Sequence, residues 1–208
     1  MTQSPQPTDG DTPKGKMILA ALDLLRRSGL AGAGINQVVD ASQAPKGSLY
    51  HYFPGGKHEL VATALSEAER SLGEGFTGIF GQSIPIGQKV RALFSKTGAR
   101  LEASEFTKGC PVAAVTLDLD ADCEVLRPAC QRVFDTWVGC IAAGLKEVPD
   151  AERRPVAQLI LGTLEGALIL SRAHGRRDPL LHNGAQLADL LELKYSRPPR
   201  RRAPTRRP

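Results

Sequence analysis

The sequence predicts an all-α fold of about nine helices, with a small three-helix unit followed by a larger helical unit. Apolar residues recur three and four positions apart along most of the 208-residue chain, which is the spacing of a helix with one buried face. No run of alternating apolar and polar residues favours a strand. Hydrophobic residues make up 41% of the chain, which is enough for a packed core and excludes wholesale disorder.

The first helix is delimited at both ends. Thr12 and Pro13 form a typical start, an N-cap followed by proline at the first helical position. Gly29 is expected to end the helix, because many helices close on a glycine with a left-handed backbone. One face in between carries apolar residues at helical spacing, namely Ile18, Ala21, Leu22 and Leu25.

Two shorter helices follow. A tight turn at 42–44 separates them, Pro45 starts the third helix, and Pro-Gly-Gly at 54–56 breaks the chain before Lys57 opens a long fourth helix. Three short helices joined by tight turns form a helix-turn-helix layout, in which a small apolar core projects one helix outward. The predicted core residues are Ile18, Leu22, Leu25, Ile35, Val38, Val39, Leu49 and Phe53.

The rest of the chain is predicted to be helical as well. Its helices are expected at 57–72, from about 85 to 101, and at 112–119, 123–148, 151–174 and 178–193. The chain around 106–122 is expected to be irregular outside the short helix.

The net charge of +5 is unevenly distributed. Residues 13–57 hold six basic and two acidic side chains, and residues 197–208 hold six arginines and no acid, whereas 58–196 is mildly acidic. A basic N-terminal unit on a nearly neutral body suits binding to a polyanion such as a nucleic acid.

The third helix keeps its polar residues away from the predicted core. Short polar side chains in this position suit base edges and phosphates better than packing. The stretch Ile35–Asp40 and the run Ala44–Phe53 (Ala-Pro-Lys-Gly-Ser-Leu-Tyr-His-Tyr-Phe), with Lys57 and Leu60 after it, resemble the DNA-binding signature of TetR-family repressors. The run from Ala44 to Lys57 is most similar to the LmrA/YxaF-like branch of that family.

The resemblance implies double-stranded operator DNA as a partner, with contact residues Lys46, Gly47, Ser48, Tyr50, His51 and Lys57. Residues 46–48 fall where the family's recognition helix approaches bases, and Tyr50 falls where the family holds a phosphate. Lys57 and the N-terminus of the fourth helix together can hold another phosphate. His51 is either a contact or a solvated side chain, and Tyr52 is interpreted as packing. Gly34 departs from the threonine common at that position, at little cost because glycine also caps helices.

The penultimate helix predicts a homodimer. Residues 156–170 are apolar around most of the helix, which must therefore be buried on more than one side. Gly162 and Gly166 allow another helix to approach closely. The resemblance implies that the last two long helices pair across a two-fold axis, so that two heads read a palindrome.

Aromatic residues make up only 5% of the chain, and most of those outside the head fall on the middle helices: Phe76, Phe80, Phe94, Phe106, Phe134 and Trp137. They either fill an ordinary core or line a cavity for a flat apolar effector. We add Glu165 to this candidate site, because it lies on the apolar penultimate helix and a buried acid needs a partner. That partner is either an arginine across the dimer or a cationic group of the ligand.

Other functional classes are not supported. The four histidines are scattered, and no nucleophile–base pattern, metal-ligand spacing or cofactor motif occurs, so we expect no enzyme, no metal and no cofactor. The four cysteines form no CxxC pair and are interpreted as reduced thiols of a cytoplasmic protein. We expect neither a signal peptide nor a membrane span.

Together these expectations define one function and one alternative. The function is a ligand-responsive repressor that binds a palindromic operator as a homodimer and is released by a small apolar or aromatic effector. The alternative is a helix-turn-helix regulator with a solid core and no effector. The predicted segments are a disordered arm (1–12), the DNA-binding domain (13–57), the effector-binding and dimerisation domain (58–194) and an Arg/Pro-rich disordered tail (195–208). The tail either adds nonspecific DNA affinity or has no role.

Overall fold

The computed structural model describes residues 10, 12–120 and 123–195, and nearly all of the predicted arm and tail lies outside them. Within these residues the chain is all-α, which confirms the predicted fold class. The helices are α1 (Pro13–Gly32), α2 (Ile35–Ser42), α3 (Leu49–Tyr52), α4 (Gly56–Phe80), α5 (Ile86–Ala103), α6 (Pro111–Leu117), α7 (Arg127–Ala143), α8 (Asp150–His174) and α9 (Asp178–Tyr195). Short 3₁₀ turns at Lys46–Ser48 and Glu124–Leu126 lead into α3 and α7.

Helices α1 to α3 form the head of the molecule. Thr12 caps α1 through its Oγ1, which accepts a hydrogen bond from the Gly15 N–H at 3.0 Å. The regular helix breaks at Gly29, whose φ of +66° only glycine adopts without strain, and one more turn runs on to Gly32. Six of the eight predicted core residues are buried, while Ile18 and Ile35 are partly buried against the same core.

Helices α4 to α9 form the body. α4 starts against α1 and then runs along α7, α5 packs on α9, and α8 lies against both α7 and α9. α7 is shorter than the predicted 123–148, because the chain passes through a 3₁₀ turn before Arg127 and leaves the helix at Gly144. A Cβ at Gly144 would lie 2.3 Å from the Phe80 carbonyl oxygen, so only glycine fits this close approach. The buried Lys89 donates to the Gly144 carbonyl at 2.9 Å and so satisfies the end of α7.

Helix α8 combines a buried face with an exposed apolar face. Val156, Ile160 and Leu164 are buried against the neighbouring helices, whereas Leu159 and Ile169 are exposed on the other side. By length and composition alone α8 is apolar enough to cross a membrane, a test that core helices also pass. In the described part of the chain no other helix meets that test.

Candidate DNA-binding surface and effector cavity

The segment that would read DNA, residues 45–53, is held by a local core; we call it the recognition segment. Gln43 takes a left-handed backbone (φ +53°) and turns the chain after α2. The Ser48 hydroxyl donates to the Pro45 carbonyl at 2.6 Å and closes the 3₁₀ turn. Leu49 and Phe53 are buried beneath it, so the segment is anchored by two side chains four residues apart.

The outer face of the recognition segment is open. No atom lies within 4 Å of a Cβ built on Gly47, so another backbone or a base edge can approach there. Tyr50 is 61% exposed. His51 is also exposed, and its ring lies edge-on to Tyr52 at 5.1 Å between ring centroids. The side chain of Lys46 lies outside the described part of the chain.

The sixth predicted contact residue, Lys57, occupies the first turn of α4 and is half-buried. Gly56 precedes it with a φ of +67°, a backbone that glycine permits. The Gly55 N–H donates to the Glu59 carboxylate at 2.7 Å, an acidic cap that the sequence analysis did not identify. A DNA phosphate at the N-terminus of α4 would therefore lie beside the Glu59 carboxylate, which already occupies the positive end of the helix dipole.

A cavity of about 810 Å³ lies where the head meets the body, lined by residues of α1, α4, α5, α7 and α8 and by the loop that leads into α6. It brings together three of the predicted effector residues, Phe76, Trp137 and Glu165. The rings of Phe76 and Trp137 meet edge-on with centroids 5.7 Å apart. Apolar side chains complete much of the wall: Leu72, Ile79, Leu93, Leu101, Leu164 and Leu168.

The other four predicted aromatic residues lie outside this wall. Phe80 and Phe94 are buried in the helix core. Phe94 packs closely on Gly184 of α9, where a Cβ built on the glycine would lie 2.5 Å from the Phe94 Cβ. Phe134 sits behind the wall, edge-on to Trp137 at 5.8 Å. Phe106 is partly buried in the loop after α5, with a positive φ of 60°.

Glu165 is the most unusual side chain of the cavity. Its Oε2 is buried and has no hydrogen-bond partner in the described part of the chain. Burial raises the pKa of Glu165 to about 7, against a hydrogen bond from the Cys110 thiol that favours the charged form. Burial, together with the nearby carboxylate, also raises the pKa of Cys110 well above its usual value. The Cys110 sulfur also accepts a hydrogen bond from the Ala113 N–H at 3.4 Å and so caps α6.

The four cysteines are free thiols. Cys123 and Cys130 are buried. The Cys123 thiol donates to the Asp120 carboxylate at 3.0 Å, and the Cys110 thiol likewise contacts a carboxylate, that of Glu165 in the cavity.

The mouth of the cavity is basic, a property that the sequence analysis missed. Five basic side chains line it: Arg26, Arg27, Lys96, Arg100 and Lys108. Two of them, Arg26 and Arg27, come from α1 of the head, and only the folded chain brings them beside α5.

The loop before α6 and the end of α6 also join the cavity to the head. The Gly109 N–H donates to the Arg26 carbonyl at 2.8 Å. At the C-terminal end of α6, the Asp118 carboxylate accepts a hydrogen bond from the Leu30 N–H at 2.7 Å, just after the break at Gly29. Movement of α6 therefore bears directly on the C-terminal end of α1.

A helix-turn-helix head with an open recognition segment, carried on a helical body with its own cavity, defines a DNA-binding transcriptional regulator. Residues 18–64 match the family described as bacterial regulatory proteins, tetR family, and residues 87–186 match the C-terminal domain of LmrA/YxaF-like transcriptional regulators. The chain belongs to the TetR family, in its LmrA/YxaF-like branch, as the resemblance predicted.

Individual relatives agree with this assignment. The chain is 33% identical over 186 residues to an HTH-type transcriptional regulator of Mycobacterium tuberculosis, covering 86% of this chain and 94% of the relative. It is 28% identical over 185 residues to the HTH-type transcriptional regulator LmrA of Bacillus subtilis, covering 88% and 98%. These relatives are transcriptional regulators, not enzymes, which agrees with the sequence analysis.

A solved structure shows the same fold. A cysteine-substituted variant of the TetR-family regulator CifR, complexed with a 26-bp double-strand operator DNA, superposes with a TM-score of 0.74 at 20% identity. The match covers 91% of this chain and 100% of the CifR chain.

Proposed function

We propose that this protein is a ligand-responsive repressor that binds a palindromic operator as a homodimer in the cytoplasm and releases it when a small apolar or aromatic effector binds. The observation that carries the proposal is the cavity beside Trp137, which joins the head through α1 and α6. A solid core would favour the alternative, a regulator without an effector. The cavity favours the effector-controlled protein.

The proposed DNA contacts are the six residues Lys46, Gly47, Ser48, Tyr50, His51 and Lys57. The exposure of Gly47, Tyr50 and His51 supports this role. The Ser48 hydroxyl already donates to Pro45, so in this arrangement it is left to accept a hydrogen bond from the DNA rather than donate one. CifR supports a double-stranded operator as the partner, because it shares this fold and its solved structure is a complex with one.

The proposed dimer uses the exposed faces of α8 and α9. Positions 159, 162, 166, 169 and 170 lie on one side of α8, where apolar side chains flank two glycines with open space around them. Leu190 and Leu193 extend this apolar surface onto α9. Such a surface on a protein that is otherwise well packed marks an interface.

Replacing Ile169, which is 57% exposed, with Glu should convert the dimer into a monomer in analytical ultracentrifugation, because the charge would be buried at the interface. Leu117→Glu is the matched control, since Leu117 is 78% exposed on α6, away from this surface. A dimer that survives Ile169→Glu would contradict the proposed interface.

The effector part is tested on the full chain. An operator is first selected from a randomised DNA pool, and a footprint should show two half-sites about one helical turn apart, ~34–36 Å. Small aromatic compounds are then screened for a rise in melting temperature that is lost in Trp137→Ala. Operator affinity that stays unchanged at saturation with such a compound would exclude effector control and favour the alternative.

The seven predicted effector residues have different places in the proposal. Phe76, Trp137 and Glu165 line the cavity and are proposed to contact the effector. Phe134 packs edge-on against Trp137 and is proposed to shape the cavity from behind, whereas Phe80, Phe94 and Phe106 lie outside its wall. No basic side chain in the described part of the chain pairs with Glu165, and its raised pKa lets it share a proton near neutral pH. A neutral polar group of the effector can therefore serve as its partner.

A further inference from the structure

The basic mouth of the cavity has few acidic partners. Its walls carry the five basic side chains named above against two acidic ones, Glu105 and Glu165. Arg27 and Lys108 are both engaged by Asp23, at 2.8 Å and 2.5 Å. Arg26, Lys96 and Arg100 form no side-chain hydrogen bond or ion pair in the described part of the chain.

Arg26 is the most constrained of these three cations. Its side chain is half-buried, and burial lowers its pKa, with the nearby Arg100 acting in the same direction and Cys110 and Asp23 against it. Asp23 forms no ion pair with Arg26, and its two carboxylate oxygens bond instead to Arg27 and Lys108. A partly desolvated cation beside a like charge is unfavourable until an anion arrives.

The two ends of the cavity therefore differ in chemistry. The buried part of its wall holds Phe76 and Trp137 together with the carboxyl group of Glu165. The exposed part of its wall holds cations, Lys96 and Arg100 among them. A ligand that satisfies both ends has an apolar body and one acidic group. A DNA phosphate does not fit this description, because the cations surround a concavity with an apolar floor rather than an open ridge.

We propose that the effector is an amphipathic organic anion, and that Arg26 of α1 and Arg100 of α5 bind its acidic group at the mouth of the cavity. This inference rests on the proposed function and names the chemical class of the effector. Because Arg26 belongs to the head, three residues before Gly29, the bound anion holds the head helix directly to the body. The effector thus acts on the orientation of α1 as well as through α6.

The test uses two fluorescent probes with the same arylamine body. 1-Anilinonaphthalene-8-sulfonate carries an acidic group, and N-phenyl-1-naphthylamine lacks it. Each is titrated against the full-length protein. Arg26→Met and Arg100→Gln should each weaken binding of the anionic probe by about tenfold, and leave the neutral probe within about twofold, because each variant removes one charge-assisted contact.

Two variants control for charge alone. Lys16→Met removes an exposed cation from α1, and Arg91→Gln removes one from α5, both outside the cavity wall. Neither should change the affinity for either probe. Arg100 is exposed, so Arg100→Gln carries the test even if Arg26→Met fails to fold by circular dichroism.

The outcomes separate the two proposals. If neither probe binds the wild-type cavity, the proposed function fails together with this inference. If both probes bind and the arginine variants affect them equally or not at all, the anion subsite is wrong and the effector-controlled regulator stands. Loss of operator affinity in Arg100→Gln without any probe would assign these cations to DNA and also overturn the inference.

Discussion

The recognition segment and the cavity differ in how their polar groups are satisfied. In the recognition segment the Ser48 hydroxyl bonds within its own turn, and at the start of α4 Glu59 caps Gly55. Among the described residues of the cavity, Glu165 keeps a buried oxygen without a hydrogen-bond partner and Arg26 forms no ion pair. These polar groups of the head are thus satisfied within the chain and need no partner. The cavity holds unsatisfied groups, which a ligand can complete.

The largest predicted effect tests whether the head surface depends on its core. Phe53→Ala should destabilise the protein by about 3–5 kcal/mol and abolish operator binding, because Phe53 is fully buried under the recognition segment. Urea unfolding and an operator titration measure both effects.

Tyr50→Ala is the matched comparison on the exposed side of α3. It should change stability by no more than about 0.5 kcal/mol and still weaken operator binding. Equal destabilisation by the two substitutions would show that the exposed face of the head is part of its packing. The head would then have no separate surface free for DNA.

The cavity side of the comparison has a pH signature. The pKa of Glu165 is raised to about 7 in the folded chain, so the folded state holds a proton that the unfolded state has released above pH 4.5. Stability is therefore lost as the pH rises from the unfolded pKa through the folded one. Glu165→Gln removes this loss, and its stability relative to the wild type should rise by on the order of 2 kcal/mol between pH 5 and pH 8.

Glu105→Gln is the matched control, because it makes the same substitution at an exposed residue of the same cavity. Unfolding midpoints in urea at several pH values measure both variants. A flat difference for Glu165→Gln would mean that solvent or a partner reaches the carboxylate, and the cavity would then be as well satisfied as the head.

The same two regions also differ in how far the sequence predicts them. The head was predicted closely, including the cap at Thr12, the break at Gly29 and most of the core, because its contacts join residues that lie near one another in the chain. Propensity and periodicity report on such local contacts.

The cavity was predicted only in part. Phe94 lies among the body helices but packs on Gly184, ninety positions away, and helical spacing carries no sign of that contact. The sequence alone does not predict a binding role for Arg26, because an arginine near the C-terminal end of a helix is common and favourable there. The basic mouth arises because residues of α1 and α5 line the same cavity in the folded chain, a property of packing rather than of any segment.

The smallest predicted effect concerns the joint between the two regions. The Asp118 carboxylate accepts from the Leu30 N–H at 2.7 Å, where the break at Gly29 leaves the backbone without its helical partner. Asp118→Ala should cost about 1 kcal/mol of stability, whereas Asp118→Asn keeps an acceptor and should cost less.

The informative readout is the ratio of operator affinities with and without a bound effector. That ratio should fall in Asp118→Ala, since α6 then holds α1 less firmly, and recover in Asp118→Asn. If the ratio is unchanged in Asp118→Ala, the cavity acts on the head through α4 or Arg26 rather than through α6.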